Sequence, residues 1–365
     1  MKKHIVLGLF LMLPLLMAGC SKPQTPQPNS VTIGVAGPLT GDAGSYGENL
    51  RAGIELALSK YSGNVKVRLI YEDSGCDGKT GANAFQKLTN VDNVDLIIGP
   101  ICSAAGSAGL PFTTKSNVPV IIPGASANGL ATLGNNIFRI YPSDGLQGKF
   151  AAQYAFEKLQ KKNATVIYRQ DDWGQAIQDI FIEEFKRLGG NIELVQATDP
   201  SEKDFRTILT KIKESATDVL YIPLGSESGL ALLRQMQELG ISLPAIGGDF
   251  LLSEDFYTQP IAEGTMITSG KISNPEEFQQ MIKTQSTASV DAVNILAPLG
   301  YDAMNIALQG FEQVGTDHKA MIEYLKNLEY TDGVSLPEIS FDDNGDLENA
   351  KFKLQIVKDG NLVDL

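Results

Sequence analysis

Short apolar runs alternate with amphipathic stretches along almost the whole chain. Residues 31–36 are a nearly unbroken apolar run. A glycine-rich loop from Gly37 to Gly47 follows, then Leu50, Ile54, Ala57, Leu58 and Tyr61 at three- and four-residue spacing. The run predicts a strand, and the spacing predicts a helix with one apolar face. The pattern continues with a strand over 65–71, a helix over 79–90, and short buried strands at 96–99 and 118–122 separated by a helix over 104–116. It restarts after Pro142. Strands are predicted at 165–168, 191–196, 219–223 and 244–247. The helices between them carry Ile177, Phe181 and Phe185, then Phe205, Leu209 and Ile212, then residues 228–239. Such repetition predicts an α/β fold with two doubly wound lobes. The segment after Met266, with a long helix over about 292–313, returns to one of them. Several crossovers and no single linker make a hinge architecture.

The start of the chain is different. Lys2 and Lys3 precede an apolar stretch from about Ile5 that ends in Leu16-Met17-Ala18-Gly19-Cys20. A basic end, a short apolar core and small residues before a cut make a secretory signal over residues 1–19. Its core is too short to span a bilayer as a relaxed helix. A cysteine at the cut predicts a bacterial lipoprotein with diacylglycerol on Cys20. The other reading is a free cysteine beside an uncleaved signal. Residues 20–30 then form a polar, proline-rich tether. The expected location is outside the cytoplasm, anchored to the outer face of the cell membrane or the periplasmic side of the envelope.

Composition narrows the function. A hydrophobic content of 43% with 20% charged residues describes a globular chain. Without Lys2 and Lys3, 28 of the 30 Lys and Arg stand against 43 acids, a net charge of −15. That disfavours nucleic acid and anionic lipid as partners. Cys76 and Cys102 remain beside Cys20, either bridged in an oxidising compartment or as two buried thiols. His4 lies in the signal, so a Ser-His-Asp or His-rich zinc site would rest on His318 alone. No enzyme, metal site or cofactor is expected. Gly78-Lys79-Thr80 has Asp73 where a phosphate loop needs glycine. Asp342 to Asp346 places Leu347 where a calcium loop needs glycine, so Asn344-Gly345 reads as a hairpin turn. Gly225 to Gly229 has Glu227, not serine, at its centre and reads as a strand-to-helix turn with a capping residue.

Candidate binding residues follow the strands. Ser103 opens a helix after the third strand. Gly124-Ala125-Ser126 follows the fourth. Backbone N–H groups and hydroxyls at the carboxyl ends of parallel strands suit a carboxylate, with N-capping as the alternative reading. Asp249, just past the strand at 244–247, suits an ammonium group or a local turn. Tyr46, in the first loop, and Trp173 stand at equivalent places in the two lobes, where they would cover an aliphatic body.

On these residues the chain resembles periplasmic binding proteins of the branched-chain amino acid type, the receptors of ABC importers. The similarity runs from about 31 to 358. It is carried by Ile33 to Gly41 with Gly47 and Gly53, Tyr71-Glu72-Asp73 with Cys76, Ile97-Ile98-Gly99-Pro100 with Cys102-Ser103, Pro123 to Ser126, Gly247-Gly248-Asp249, and Asn344-Gly345-Asp346. The resemblance implies the type I fold of that family: two doubly wound parallel-sheet lobes joined by a three-strand hinge. Lobe 1 would be 31–142 with 268–342, and lobe 2 would be 143–267 with 343–365. The hinge would run through about 141–144, 267–270 and 341–347. Ser103 and Ser126 would hold the carboxylate of an amino acid, a carbonyl near Gly124-Ala125 and Asp249 its ammonium, and Tyr46 and Trp173 its body. Cys76 and Cys102 would form a disulfide. The protein would work as a monomer with a membrane permease, without cofactor. One departure stands out. Leucine-type receptors place an aromatic where this chain has Gly225 or Ser226, which implies a larger or more polar side-chain subsite. The same fold with urea, a short amide or a carboxylic acid, or acting as a sensor module, is the alternative reading.

Overall fold

Two sheets, built from strand–helix repeats, organise the chain. The computed structural model describes residues 30–41, 43–288, 290 and 292–365. The signal, Cys20 and the tether up to residue 29 lie outside them. β1 (Ser30–Gly37), α1 (Gly44–Lys60), β2 (Lys66–Asp73), α2 (Gly78–Asn90), β3 (Leu96–Ile98), α3 (Ser103–Ser116), β4 (Val120–Ile122) and β5 (Ile137–Arg139) come first. α4 (Asp144–Gln153), β6 (Asn163–Arg169), α5 (Asp172–Arg187), β7 (Asn191–Thr198), α6 (Arg206–Glu214), β8 (Val219–Ile222), α7 (Ser226–Glu238), β9 (Ala245–Gly247), α8 (Glu254–Tyr257) and β10 (Met266–Gly270) follow. The remainder is α9 (Glu276–Gln285), α10 (Leu296–Val314), α11 (His318–Lys326), β11 (Phe352–Lys358) and β12 (Asn361–Asp364). Among the described residues no helix is long and apolar enough to cross a membrane.

The first sheet has the order β2-β1-β3-β4-β5 and is parallel throughout. β1 sits between β2 and β3, with Ile33 opposite both Leu69 and Leu96. Val31, Ile33 and Val35 are buried, as a strand covered on both faces requires. The second sheet has the order β12-β11-β10-β9-β8-β6-β7. It departs from the expected parallel form at one edge, where β11 runs antiparallel to β10 and to β12. The chain reaches that edge directly from the other half. Asp359-Gly360, both at positive φ, then supply a two-residue hairpin turn.

The apolar stripe of α1 explains why a late segment returns. Leu50, Ile54 and Ala57 are buried against α10, and each large aliphatic stabilises the contact by roughly 1.5–3 kcal/mol. Gly53 lets the helices touch, since a Cβ there would lie 1.9 Å from the Ala297 carbonyl oxygen. So α10 belongs with the first sheet while β11 and β12 belong with the second. The chain therefore crosses three times, after β5, after β10 and before β11. The crossings lie side by side. Arg139 pairs with Asp346, and the Lys271 N–H donates to the Lys351 carbonyl at 2.7 Å. The hinge position expected at 267–270 falls inside β10, and the crossing begins just beyond it.

Arg139 is fully buried and locks this region. Its Nε donates to Asp346 Oδ1 at 2.8 Å and its Nη1 to the Ala127 carbonyl at 2.9 Å. In the adjoining turn Asp342 accepts from the N–H groups of Asn344 and Asp346, both at 2.9 Å. Asp342 and Asp346 of the calcium-like string are thus used by the turn and by Arg139. Among the described residues no group of His, Cys, Asp and Glu could hold a metal ion.

Candidate ligand-binding cleft

The carboxyl ends of the parallel strands in both sheets face a cavity of about 60 Å³. The turn after β3 directs the first wall. Gly99 has φ +135°, and a Cβ there would lie 2.3 Å from the Ala36 carbonyl, so glycine alone fits this bend. The chain then passes Cys102, extended at the N-cap, into α3. Ser103 is the first helical residue and is buried. Its Oγ accepts from the Ala127 N–H at 3.1 Å, which leaves the hydroxyl proton free for a ligand oxygen. The N–H groups of the first turn lack intrahelical partners and favour an anion. Cys76 and Cys102 form a disulfide with Cα atoms 5.2 Å apart, and both line the cavity.

Of the residues expected at the site, Tyr46, Ser103, Gly124, Ser126, Trp173 and Asp249 line this cavity. Ala125 is buried behind it, its carbonyl 3.4 Å from Arg139 Nη1, so the backbone turns its neighbour Gly124 to the ligand side instead. Two local expectations change. Tyr46 lies in the first turn of α1, which begins at Gly44, and not in a loop. No helix follows Ser126, so only Ser103 has a helix start. Gly225 caps α7 without a side-chain bond; Ser226 Oγ reaches Ser253 Oγ at 2.8 Å and the Phe250 carbonyl at 3.3 Å.

The second wall comes from β6, α5 and β9. Asp249 follows β9 and is half-buried in the cleft. Its Oδ2 accepts from the Tyr141 hydroxyl at 2.6 Å. Burial raises its carboxyl above the usual range, and the Tyr141 bond offsets part of that. Asp144, at the start of α4, is pushed up further by burial and by the Asp249 charge. Among the described residues Asp249 makes no ion pair, so it lines the cleft without a cation of its own. A carboxylate partly withdrawn from water in that state calls for a positive partner.

Phe250, Arg169, Asp171 and Tyr141 also line the cavity and were not expected as contacts. Phe250 stacks on Tyr46 with ring centroids 5.6 Å apart and packs at a tilt against Trp173 at 5.5 Å. The Tyr46 hydroxyl also approaches the Phe250 carbonyl at 3.4 Å. Tyr46 belongs to the first half and Phe250 to the second, so the cleft is closed across this aromatic contact. Burial pushes the Tyr46 phenol up and keeps it a neutral donor. Phe250 and Arg169 also occupy the space that Gly225 leaves; a Cβ there would meet them at 3.3 and 3.4 Å. The expected enlargement is therefore filled, and the added character is polar. The one signal available was position: Arg169-Gln170-Asp171 ends β6 as Ser103 follows β3.

A family profile described as periplasmic binding protein matches residues 30–361. The Leu/Ile/Val-binding protein BraC3 of Rhizobium johnstonii is 27% identical over 352 residues, 91% of this chain and 93% of its own. The leucine-, isoleucine-, valine-, threonine- and alanine-binding protein of Pseudomonas aeruginosa is 25% identical over 341 residues, 89% of each chain. Among solved structures, the leucine-binding protein LivK of Thermotoga maritima matches with a TM-score of 0.84 at 25% identity, covering 92% of this chain and 97% of that one. A solute-binding protein of R. palustris in complex with benzoate matches at 0.81 and 19% identity, over 92% and 95%, a likeness of fold alone.

Proposed function

The chain belongs to the periplasmic binding protein family, and from that premise we propose that it carries an α-amino acid between its two lobes to the permease of an ABC importer. Members of this family are extracytoplasmic solute receptors, not enzymes, so the geometry needs to bind and release, without covalent chemistry. The observation that carries the amino acid reading is Asp249, half-buried in the cleft without a cation of its own and lining one cavity with Ser103. A zwitterion answers both ends, its ammonium on Asp249 and its carboxylate on Ser103, Ser126 and the first turn of α3. Gly124 lines the same cavity and offers its carbonyl to that ammonium in this reading, while Tyr46 and Trp173 flank the body.

Closure follows from where these groups sit. Ser103 and Ser126 come from the first half, Asp249 and Trp173 from the second, so the full set of contacts exists only when the halves meet. A ligand with that preference shifts the population to the closed form. Desolvation there strengthens the charge-assisted bonds. In this reading the moving bodies divide near residue 142, just beyond β10 and just before β11, the receptor acts as a monomer, and diacylglycerol on Cys20 tethers it to the membrane after removal of residues 1–19.

The test is a thermal-shift screen against the twenty amino acids, urea, short amides and simple carboxylic acids. A ligand at 100 times its dissociation constant stabilises by about 2.7 kcal/mol. One or a few α-amino acids should raise the midpoint, and Asp249→Ala should abolish the shift. A response only to compounds without an ammonium group would overturn the reading.

A further inference from the structure

We infer that Arg169 reads an oxygen at the far end of the ligand's side chain, so that the cleft takes amino acids ending in a carboxylate or carboxamide in preference to aliphatic ones. This deepens the amino acid reading above and rests on it.

The argument begins with how firmly the guanidinium is held. Arg169 is the last residue of β6, and its N–H donates to the Pro223 carbonyl at 3.0 Å. The residue is 9% exposed. Its Nε pairs with Asp171 Oδ2. The other oxygen of Asp171 accepts from the Gly174 N–H at 2.9 Å, which fixes that carboxylate to the start of α5. The guanidinium lies over the Phe250 ring, 4.8 Å from its centroid. Gly225 adjoins it, with a Cβ there standing in ordinary contact at 3.4 Å from Nη1. Three neighbours thus fix the plane of the group.

Its hydrogen-bonding capacity is only partly used. Nε serves Asp171, while Nη1 and Nη2 make no hydrogen bond among the described residues, and the residue lines the cavity. Arginine presents its donors in a rigid fork that matches a carboxylate, and a carboxamide oxygen can take either arm. An aliphatic side chain closing over that edge would strip its water and return no acceptor. Sites built to bond a polar group reject analogues that lack it far more strongly than apolar pockets reject a missing methylene. Asp171 neutralises the guanidinium, so an uncharged amide and an acid both fit.

The experiment is calorimetric titration of the full-length protein with L-glutamate, L-glutamine, L-aspartate, L-asparagine, L-leucine, L-isoleucine and L-valine. At least one of the first four should bind about tenfold or more tightly than any of the last three. Arg169→Met should erase that preference, and Arg169→Lys should retain only part of it. Tightest binding by leucine, isoleucine or valine overturns the role of Arg169 and leaves the amino acid reading standing. So does an unchanged order in Arg169→Met. Failure of all seven to bind sinks this inference, and silence of the remaining amino acids as well sinks the parent reading. Should Arg169→Met not fold, the wild-type ranking decides.

Discussion

Cleaving the Cys76–Cys102 bridge is expected to loosen the cleft as well as the fold. The bridge ties the turn after β2 to the residue that precedes α3, across a sequence separation of 26. In the chain-entropy account a loop of this length stabilises by about 3.5 kcal/mol at 25 °C. Cys76 has φ +57°, a left-handed backbone that costs a non-glycine residue roughly 1–2 kcal/mol. Cleavage lets it relax, so the net loss is about 2 kcal/mol. With an unfolding entropy of about 2.1 cal/mol/K per residue, a unit of roughly 340 residues loses about 3 °C in Tm, and a lobe of half that size melting alone loses about 6 °C. Calorimetry of the oxidised protein, the reduced protein and the Cys76→Ser/Cys102→Ser variant measures this. The same samples titrated with ligand should bind several-fold more weakly, because Ser103 follows Cys102 directly and loses its fixed approach. A midpoint unmoved within about 1 °C would refute the entropy argument. A lowered midpoint with unchanged affinity would refute the link to the cleft.

Three further outcomes follow from single residues. Burial pushes the Asp302 carboxyl up to about 6, although Ser335 and Val334 donate to it. Its folded value exceeds the unfolded one, so the native state binds the proton more readily and stability rises as pH falls from above 6 toward 4. The gain is up to about 3 kcal/mol; urea titrations of the wild type and Asp302→Asn at both ends of that window should differ by it, and parallel curves would contradict it. Gly53→Ala places a methyl against the Ala297 carbonyl and should lower the urea midpoint by roughly 1–3 kcal/mol of stability; an unmoved midpoint would mean that α1 and α10 do not approach as described. Asp249→Asn keeps the shape and removes the charge, so amino acid affinity should fall about ten- to hundredfold, as loss of a charged hydrogen bond implies, and calorimetry showing no fall would assign Asp249 another role.

Much of this architecture was legible because buried parallel strands announce themselves. Residues 31–36, 96–98 and 219–222 are apolar on both faces, and the helices between them carry stripes such as Phe181 and Phe185. The elements that escaped lack that contrast. β5 is three residues long and ends in the buried Arg139, which reads as a polar surface residue until Asp346 is brought beside it. α4 mixes Gly145, Gln147 and Lys149 with small residues and has no apolar stripe to detect. At the site, Ser103, Ser126, Asp249 and Trp173 were readable because each follows a strand at its carboxyl end. Phe250 was not, because its meaning depends on Tyr46 arriving from the other half of the molecule. Gly225 was read as a larger or more polar subsite, and a local sequence cannot tell that a ring from the turn after β9 and a guanidinium at the end of β6 occupy it. Ala125 shows the limit of resolution in a loop, where one residue faces the ligand and the next faces Arg139.

The pairing of α1 with α10 sets the order in which the molecule can be completed. When the first half of the chain has emerged, Leu50, Ile54 and Ala57 have no cover, because Ala297 and its neighbours are still to come. The second sheet waits longer, since β11 at its edge is among the last segments made. Contacts between such distant segments form slowly. A receptor that works outside the cytoplasm profits from that delay. Its chain remains unfinished, and so able to pass through a membrane as an extended thread, until nearly all of it has been synthesised.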